Sequence, residues 1–221
     1  NISHEFRTPL AAQLASIELL RDGLDNLDPQ ARRDLVLSLE RGTVRLTRLI
    51  DNLLESVRIE SGQLGLRRQP VDLVDVVEQA RGLIEALLIQ RRQALQVDLG
   101  EVLPAIDGDS PRLTQVFVNL LANASKFAPE GSTIRVGARV QGSQVEAWVE
   151  DEGTGVPDLA DGSIFERFDR GKDEEPEPTG LGLGLWIVKS IVERHGGQVS
   201  AGRTTEGRTR FSVVLPVVRA E

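Results

Sequence analysis

The sequence predicts an α+β protein, an antiparallel helical hairpin followed by an α/β sandwich. Three observations carry that expectation. Apolar residues recur at spacings of three and four through about the first sixty residues, the period of amphipathic helices. Period-two alternation appears only later, at Ile134, Val136, Ala138 and Val140 and again at Val145, Ala147 and Val149. Strands and helices are grouped rather than strictly alternating, which argues against a doubly wound parallel sheet.

Taken in order, the first helix carries Leu10, Leu14, Ile17, Leu20 and Leu24 after Pro9, whose missing N–H and bulky ring predict a bend. Asp25 to Pro29 breaks the pattern, and Asp28 before Pro29 is an N-cap and first-turn pair. A second helix follows with Leu35, Leu39, Leu46, Ile50, Leu53 and Val57, stopping near Ser61 and Gly62. A lone hairpin cannot cover its own apolar stripe. Pairing with a second copy into a four-helix bundle would cover it, and so would docking on the domain that follows. Gly62, Gly65 and Pro70 mark a boundary, giving expected domains of residues 1–62 and 66–221. Beyond it, Asp72 caps a helix to Gln90, and Asp109-Ser110-Pro111 opens another to about Phe127. The alternating segments, turned by Gly142-Ser143, form an antiparallel β-hairpin with one buried face. A helix over about Leu183 to Arg194 and a strand over Arg208 to Val217 complete the chain, which contains no internal repeat.

Composition narrows the function classes. With 26 basic and 34 acidic residues among 221, the formal charge is −8, a poor match to the phosphate neutralisation that nucleic-acid binding requires. Without cysteine there is no disulfide, zinc–thiolate site or catalytic thiol. No uncharged apolar run approaches a membrane span. The absence of methionine and the start at Asn1 lead us to expect a piece of a longer chain.

Four segments carry chemistry. In Ser3-His4-Glu5-Phe6-Arg7-Thr8-Pro9-Leu10, His4 and Thr8 share a helical face with Glu5 beside them. A neutral imidazole is a competent nucleophile near pH 7, and a neighbouring carboxylate can orient it and take its proton. A zinc-protease reading fails because the second histidine it needs is Thr8. Taken alone, the octapeptide is equally a surface histidine with an ion-pair neighbour. Gln115, Asn119, Asn123, Lys126 and Phe127 line one helical face opposite Val116, Leu120, Leu121 and Ala124. Carboxamide oxygens suit Mg²⁺, and asparagine is costly inside a helix, although an amphipathic helix with its amides in water would look the same. Asp151-Glu152-Gly153-Thr154-Gly155 follows a strand and offers an acceptor for an amino group; alone, it reads as a plain turn. Gly180-Leu181-Gly182-Leu183-Gly184-Leu185 opens a helix, where freed N–H groups and the helix dipole suit phosphate. It is neither a Walker A loop nor a dinucleotide fingerprint. The charged Gly171–Thr179 stretch before it, with Pro176 and Pro178, is loop chemistry and a candidate lid.

The order of these segments resembles the catalytic portion of a bacterial two-component sensor histidine kinase. Ser3–Leu10 is similar to the H box, Gln115–Phe127 to the N box, Asp151–Pro157 to G1, Ile164–Gly171 to the F box and Gly180–Leu185 to G2. His195-Gly196-Gly197 matches a further signature in which the histidine is structural. The resemblance implies a dimerisation and histidine-phosphotransfer hairpin, then the ATP-binding sandwich shared with gyrase, mismatch-repair and heat-shock chaperone ATPases. It implies that His4 accepts a phosphoryl group from ATP, Glu5 is general base, and Thr8 positions water when the regulator is dephosphorylated. Asn123 would bind Mg²⁺ with Asn119 close to it, and Lys126 and Arg170 would contact phosphates. Phe127 and Phe165 would line the nucleotide pocket, and Asp151 would accept from the adenine amino group. Gly153, Gly155, Gly180, Leu181, Gly182, Leu183 and Gly184 would shape the pocket and the lid hinges. Phe127 stands where many relatives have Tyr, and Trp186 where a small residue is common.

By the same resemblance the partners are a second copy of the chain and the receiver-domain aspartate of a cognate response regulator, with no nucleic acid. A membrane would be reached only through upstream segments, placing this portion in the cytoplasm. The two domains would reorient about Gly62–Pro70, and the acidic residues Asp173, Glu174, Glu175 and Glu177 would face solvent. Two other readings compete: a non-catalytic dimeric scaffold that binds nucleotide weakly, and an ATPase or serine kinase on the same fold. Intact amides, Asp151 and glycines speak against the first, and the H box against the second.

Overall fold

The computed structural model describes residues 2–23, 27–62, 65–100, 102–153, 155, 163–167 and 181–218, with residues 2, 4, 5, 45 and 48 described in backbone only. Two long helices come first, α1 (Ile2–Gly23) and α2 (Pro29–Glu60), packed side by side. Asp28 caps α2, its carboxylate accepting from the Ala31 N–H at 2.8 Å, with Pro29 at the first turn as the sequence predicts. Pro9 does not end α1; the helix continues through it. Gln13 locks the pair by donating to Thr43 Oγ1 at 2.8 Å and to the Leu39 carbonyl at 3.2 Å. The hairpin leaves much apolar surface in water: Leu10, Leu14, Ile17, Ile50, Leu54 and Val57 are each about half exposed. Among the described residues no helix is long and apolar enough to cross a membrane.

The rest is a two-layer sandwich. Strands β2 (Ala94–Asp98), β4 (Thr133–Gln141), β5 (Gln144–Asp151), β6 (Gln198–Arg203) and β7 (Thr209–Pro216) form one sheet in the order β2-β4-β5-β7-β6. The β2–β4 pair is parallel and the other neighbours are antiparallel. Two short strands, β1 (Gln69–Val71) and β3 (Ile106–Gly108), pair separately. Helices α3 (Leu73–Gln90), α4 (Ser110–Phe127) and α5 (Gly184–Arg194) supply the second layer. The core between the layers is apolar. Val76, Ile84, Leu113, Phe117, Leu120, Ile187 and Ile191 meet Ile134, Val149 and Phe211, each at 2% exposure or less. The opposite face of the sheet is a charged ladder in which Arg210 pairs with Glu150 and Arg139 with Glu146, with Trp148 between the two arginines. One buried face and one wet face are what the alternation in β4 and β5 requires.

His195 pins this architecture. It is fully buried; its Nε2 accepts from the Asp109 N–H at 3.0 Å and its Nδ1 lies 2.8 Å from the Ile191 carbonyl. A carbonyl can only accept, so Nδ1 carries the proton and the ring is neutral. It thereby ties the start of α4 to the end of α5, the structural part implied for it. His195→Ala is expected to cost about 3 kcal/mol in urea unfolding, from the cavity and the orphaned Asp109 N–H. Burial, the largest influence, depresses the His195 pKa below 6.5. The stability tied to the neutral ring is therefore present above pH 6.5 and is lost as pH falls below it. A urea series across that window checks this sign.

Candidate functional site

Helix α4 builds the first wall. Asp109 caps it, its carboxylate accepting from Arg112 N–H, and Pro111 occupies the first turn. The wholly buried face of Leu113, Val116, Phe117, Leu120, Leu121 and Ala124 fixes its rotation, so Asn119 and Asn123 point along the open side, half-buried. The Nδ2 of Asn119 is buried and has no hydrogen-bond partner. An orphaned amide donor is costly unless something arrives to accept from it. At the end of α4, Lys126 lies over the Phe127 ring, 4.3 Å from its centroid, and Phe127 is 40% exposed. The far end of α4 is anchored by Gln93, which exchanges hydrogen bonds with Ser125.

The second wall is the end of β5. Asp151 is 2% exposed, and its Oδ1 accepts from Gly153 N–H at 2.7 Å. Burial raises its pKa from 3.8 to about 6; the Gly153 hydrogen bond and the charge of Arg208 oppose that rise. Glycine is required next to it, because a Cβ at position 153 would sit 2.6 Å from Asp151 Oδ1 and 2.8 Å from the Phe127 carbonyl. Position 155 has φ +83° with the Arg203 guanidinium pressed against it, which again admits only glycine comfortably. Directly across the ladder from Asp151 stands Thr209, whose buried Oγ1 has no partner. Asp151 and Thr209 thus present a buried acceptor and an unpaired hydroxyl side by side.

The third wall is the start of α5. Gly182 has φ +65°, and α5 begins at Gly184 with no side-chain cap on its first N–H groups. Gly184 faces α4: the atom nearest its Cβ position is Asn119 Oδ1, at 3.9 Å. Leu181 and Leu183 are buried at 3% and 1%, so what they can offer a ligand is backbone, not side chain. Phe165, expected at the pocket wall, lies in the core, edge-on to Phe211 with ring centroids 6.3 Å apart.

Three of the sequence segments therefore converge at one end of the sandwich. Thr8 lies far off in sequence, exposed on α1, and His4 and Glu5 lie on the same helix with side chains outside the described residues. Arg170, Gly180, the expected lid and its acidic run also lie outside the described residues. The hinge segment is partly tied down: Arg67 N–H donates to Asp109 Oδ2 at 2.8 Å, and Arg68 donates to Asp107 at 3.1 Å and to the Arg194 carbonyl at 2.7 Å. Helix α2 docks on the sandwich through Glu55, 4% exposed and 2.5 Å from Arg112. Its last turn is held by Arg194 donating to the Ile59 carbonyl and by an Arg167–Glu60 ion pair.

A cavity of about 450 Å³ lies elsewhere, on the wet sheet face over Arg135, Gly137, Trp148 and Arg210, and shares no residue with the three walls. Among the described residues no three His, Cys, Asp or Glu side chains cluster. A cation here would rest on amide oxygens and on phosphates brought by the ligand, a donor set that fits Mg²⁺ and that Asn119 and Asn123 supply. The sequence did not single out Thr209. Its partnership with Asp151 depends on strand register across 58 residues (209 − 151), and no local spacing encodes that.

The comparisons with known proteins agree on both halves. Residues 1–62 match the family model described as His Kinase A (phospho-acceptor) domain, and residues 108–219 match Histidine kinase-, DNA gyrase B-, and HSP90-like ATPase. The chain is 36% identical to the alginate biosynthesis sensor protein KinB of Pseudomonas aeruginosa over 97% of its own length, and 36% identical to sensor protein KdpD of Escherichia coli over 97%. It spans only 36% and 24% of those two proteins. Among solved structures, the Acinetobacter baumannii histidine kinase AdeS superposes with a TM-score of 0.71 at 24% identity, covering 98% of each chain, which is a likeness of fold.

Proposed function

This chain belongs to the sensor histidine kinases of two-component signalling, and from that premise we propose that it transfers the γ-phosphoryl group of ATP to its own His4 and then to an aspartate of a response regulator. The observation that carries the nucleotide half is the convergence of orphaned polar atoms, Asn119 Nδ2 and Thr209 Oγ1, with the buried Asp151 acceptor. Each lacks what a nucleotide supplies: a phosphate oxygen, a base nitrogen and an exocyclic amino group.

Residues 1–62 form the phosphoacceptor and dimerisation unit and residues 66–221 the ATP-binding unit in this reading. Asp151 takes the adenine amino group and Phe127 flanks the base. Lys126 and Arg170 meet phosphates, while Gly153, Gly155, Gly180, Gly182 and Gly184 with the backbone of Leu181 and Leu183 shape the cradle. Asn123, assisted by Asn119, holds Mg²⁺, which neutralises charge on the phosphates when bound. His4 attacks the γ-phosphorus in line; the N–P bond forms as the bond to the ADP oxygen breaks, and Glu5 takes the imidazole proton. Thr8, one turn on, orients water for hydrolysis of the regulator's acyl phosphate. The half-exposed apolar stripe on α1 and α2 supports a second copy of the hairpin as partner.

Incubation with γ-labelled ATP tests the proposal: acid-labile, alkali-stable label on the chain supports it, and none overturns it. Thr209→Val gives a second check with opposite signs in two assays. Removing a buried hydroxyl without a partner is expected to raise the stability of the ligand-free chain by about 1 kcal/mol, while ATP affinity falls several-fold. Thermal melts and nucleotide titrations read the two effects separately.

A further inference from the structure

Arg208 is absent from the motifs above, yet it stitches together the segments around Asp151. Its side chain is 14% exposed. Nη2 donates to Glu152 Oε1 at 2.6 Å, and Nη1 donates to the Thr133 carbonyl at the start of β4, at 3.2 Å. Its backbone closes the β6–β7 turn, with N–H donating to Thr204 Oγ1 and carbonyl accepting from Thr204 N–H. The next residue is Thr209, the ladder partner of Asp151.

Glu152 lies between Asp151, which points into the pocket, and Gly153, whose N–H binds Asp151 Oδ1. Fixing the Glu152 side chain on the outer side fixes the peptide that delivers that N–H. One carboxylate oxygen is then committed, and the other is oriented by it. A guanidinium is suited to the task because its planar fork satisfies a carboxylate and a carbonyl at once. Its charge also favours the ionised form of Asp151.

We propose that Arg208 is a positioning residue for base selection: through Glu152 and Thr133 it holds the Asp151–Gly153 turn so that Asp151 accepts from a purine 6-amino group and rejects a 6-carbonyl. The inference rests on the nucleotide reading above and deepens it. A base with oxygen at that position leaves the buried carboxylate facing a second acceptor, and a site built around a hydrogen bond discriminates strongly only while its geometry is held.

The test compares Mg·ATP with Mg·ITP, which differ at the 6-position and in the proton that N1 carries with a 6-carbonyl, in binding titrations on the whole chain with Arg208→Gln, Arg208→Lys and Glu152→Gln. Arg208→Gln is expected to weaken ATP about tenfold and ITP less than about twofold, so that the ATP-over-ITP ratio falls. Arg208→Lys, which keeps the charge but not the fork, should recover part of the ratio. Glu152→Gln reaches the same contact from the other side and should lower the ratio even if Arg208→Gln folds poorly. An unchanged ratio in Arg208→Gln and Glu152→Gln, or equal losses for both nucleotides, overturns the inference and leaves the nucleotide reading standing. Wild-type protein that binds neither nucleotide overturns both.

Discussion

His4→Gln is expected to abolish labelling by γ-phosphate-labelled ATP, a loss of at least about a thousandfold, the scale on which deleting a nucleophile acts. Glutamine preserves helix propensity and side-chain reach within α1 but has no nitrogen lone pair able to attack phosphorus. ATP binding should survive, because the walls around Asn119, Asp151 and Gly184 belong to the other half of the chain. Unchanged nucleotide affinity with no label therefore identifies lost chemistry rather than lost fold. Glu5→Gln should slow labelling by about a hundredfold, the contribution expected of a general base. Label persisting in His4→Gln would move the acceptor elsewhere and break the assignment of α1.

The second large effect is expected at Asp151. Asp151→Asn keeps the shape but presents a neutral, flippable amide to an amino group. The loss of a charged hydrogen bond predicts about a hundredfold weaker ATP binding. The wild-type protein should show a related pH dependence. Because burial has raised the Asp151 pKa to about 6, the carboxylate is ionised at pH 7.5, and ATP affinity should fall as pH drops through about 6. The linkage for folding runs the other way. A carboxyl whose folded pKa lies above its unfolded value of 3.8 penalises the folded state wherever it is ionised. That penalty grows between pH 3.8 and about 6, is complete above it, and is on the order of 2–3 kcal/mol. Asp151→Asn should thus stabilise the ligand-free chain at pH 7.5 while disabling the site. An Asp151→Asn protein that melts lower and binds ATP normally would refute both statements.

Much of this was legible in the residues themselves. The caps Asp28, Asp72 and Asp109 each accept from a first-turn N–H as their positions predict, because the capping signal is local. The β4–β5 hairpin and its Gly142-Ser143 turn follow from alternation for the same reason. The strands β1, β2, β3 and β6 escaped. β1 and β3 have three residues each, too few for a period to register. β2 and β6 lie at the edges of the sheet and hold no fully buried residue, so their composition is mixed. At the site, Asn119 and Asn123 stood out because asparagine is costly inside a helix, and Gly180, Gly182 and Gly184 because they open one, whereas Asp151 with Gly153 and Gly155 read alone as a turn and was marked out by the resemblance. Thr209 and Arg208 did not, since their importance arises from register and from a side chain crossing to Glu152. Phe165 was expected at the ligand only through the resemblance of Ile164–Gly171 to the F box, and in the structure it is buried edge-on to Phe211.

Helix α4 has one further consequence. Its first turn grips the neighbouring unit, with Arg112 on Glu55 and Asp109 on Arg67, and its middle turns carry Asn119 and Asn123. From Asp109 to Asn119 the helix axis is only about 15 Å long. If the amides hold nucleotide as proposed and its binding shifts α4, the Glu55 and Arg67 contacts are the first to feel it, and any such coupling acts equally in both directions. One short rod thus carries both the amides proposed to face phosphate and the handle by which the helical hairpin is held.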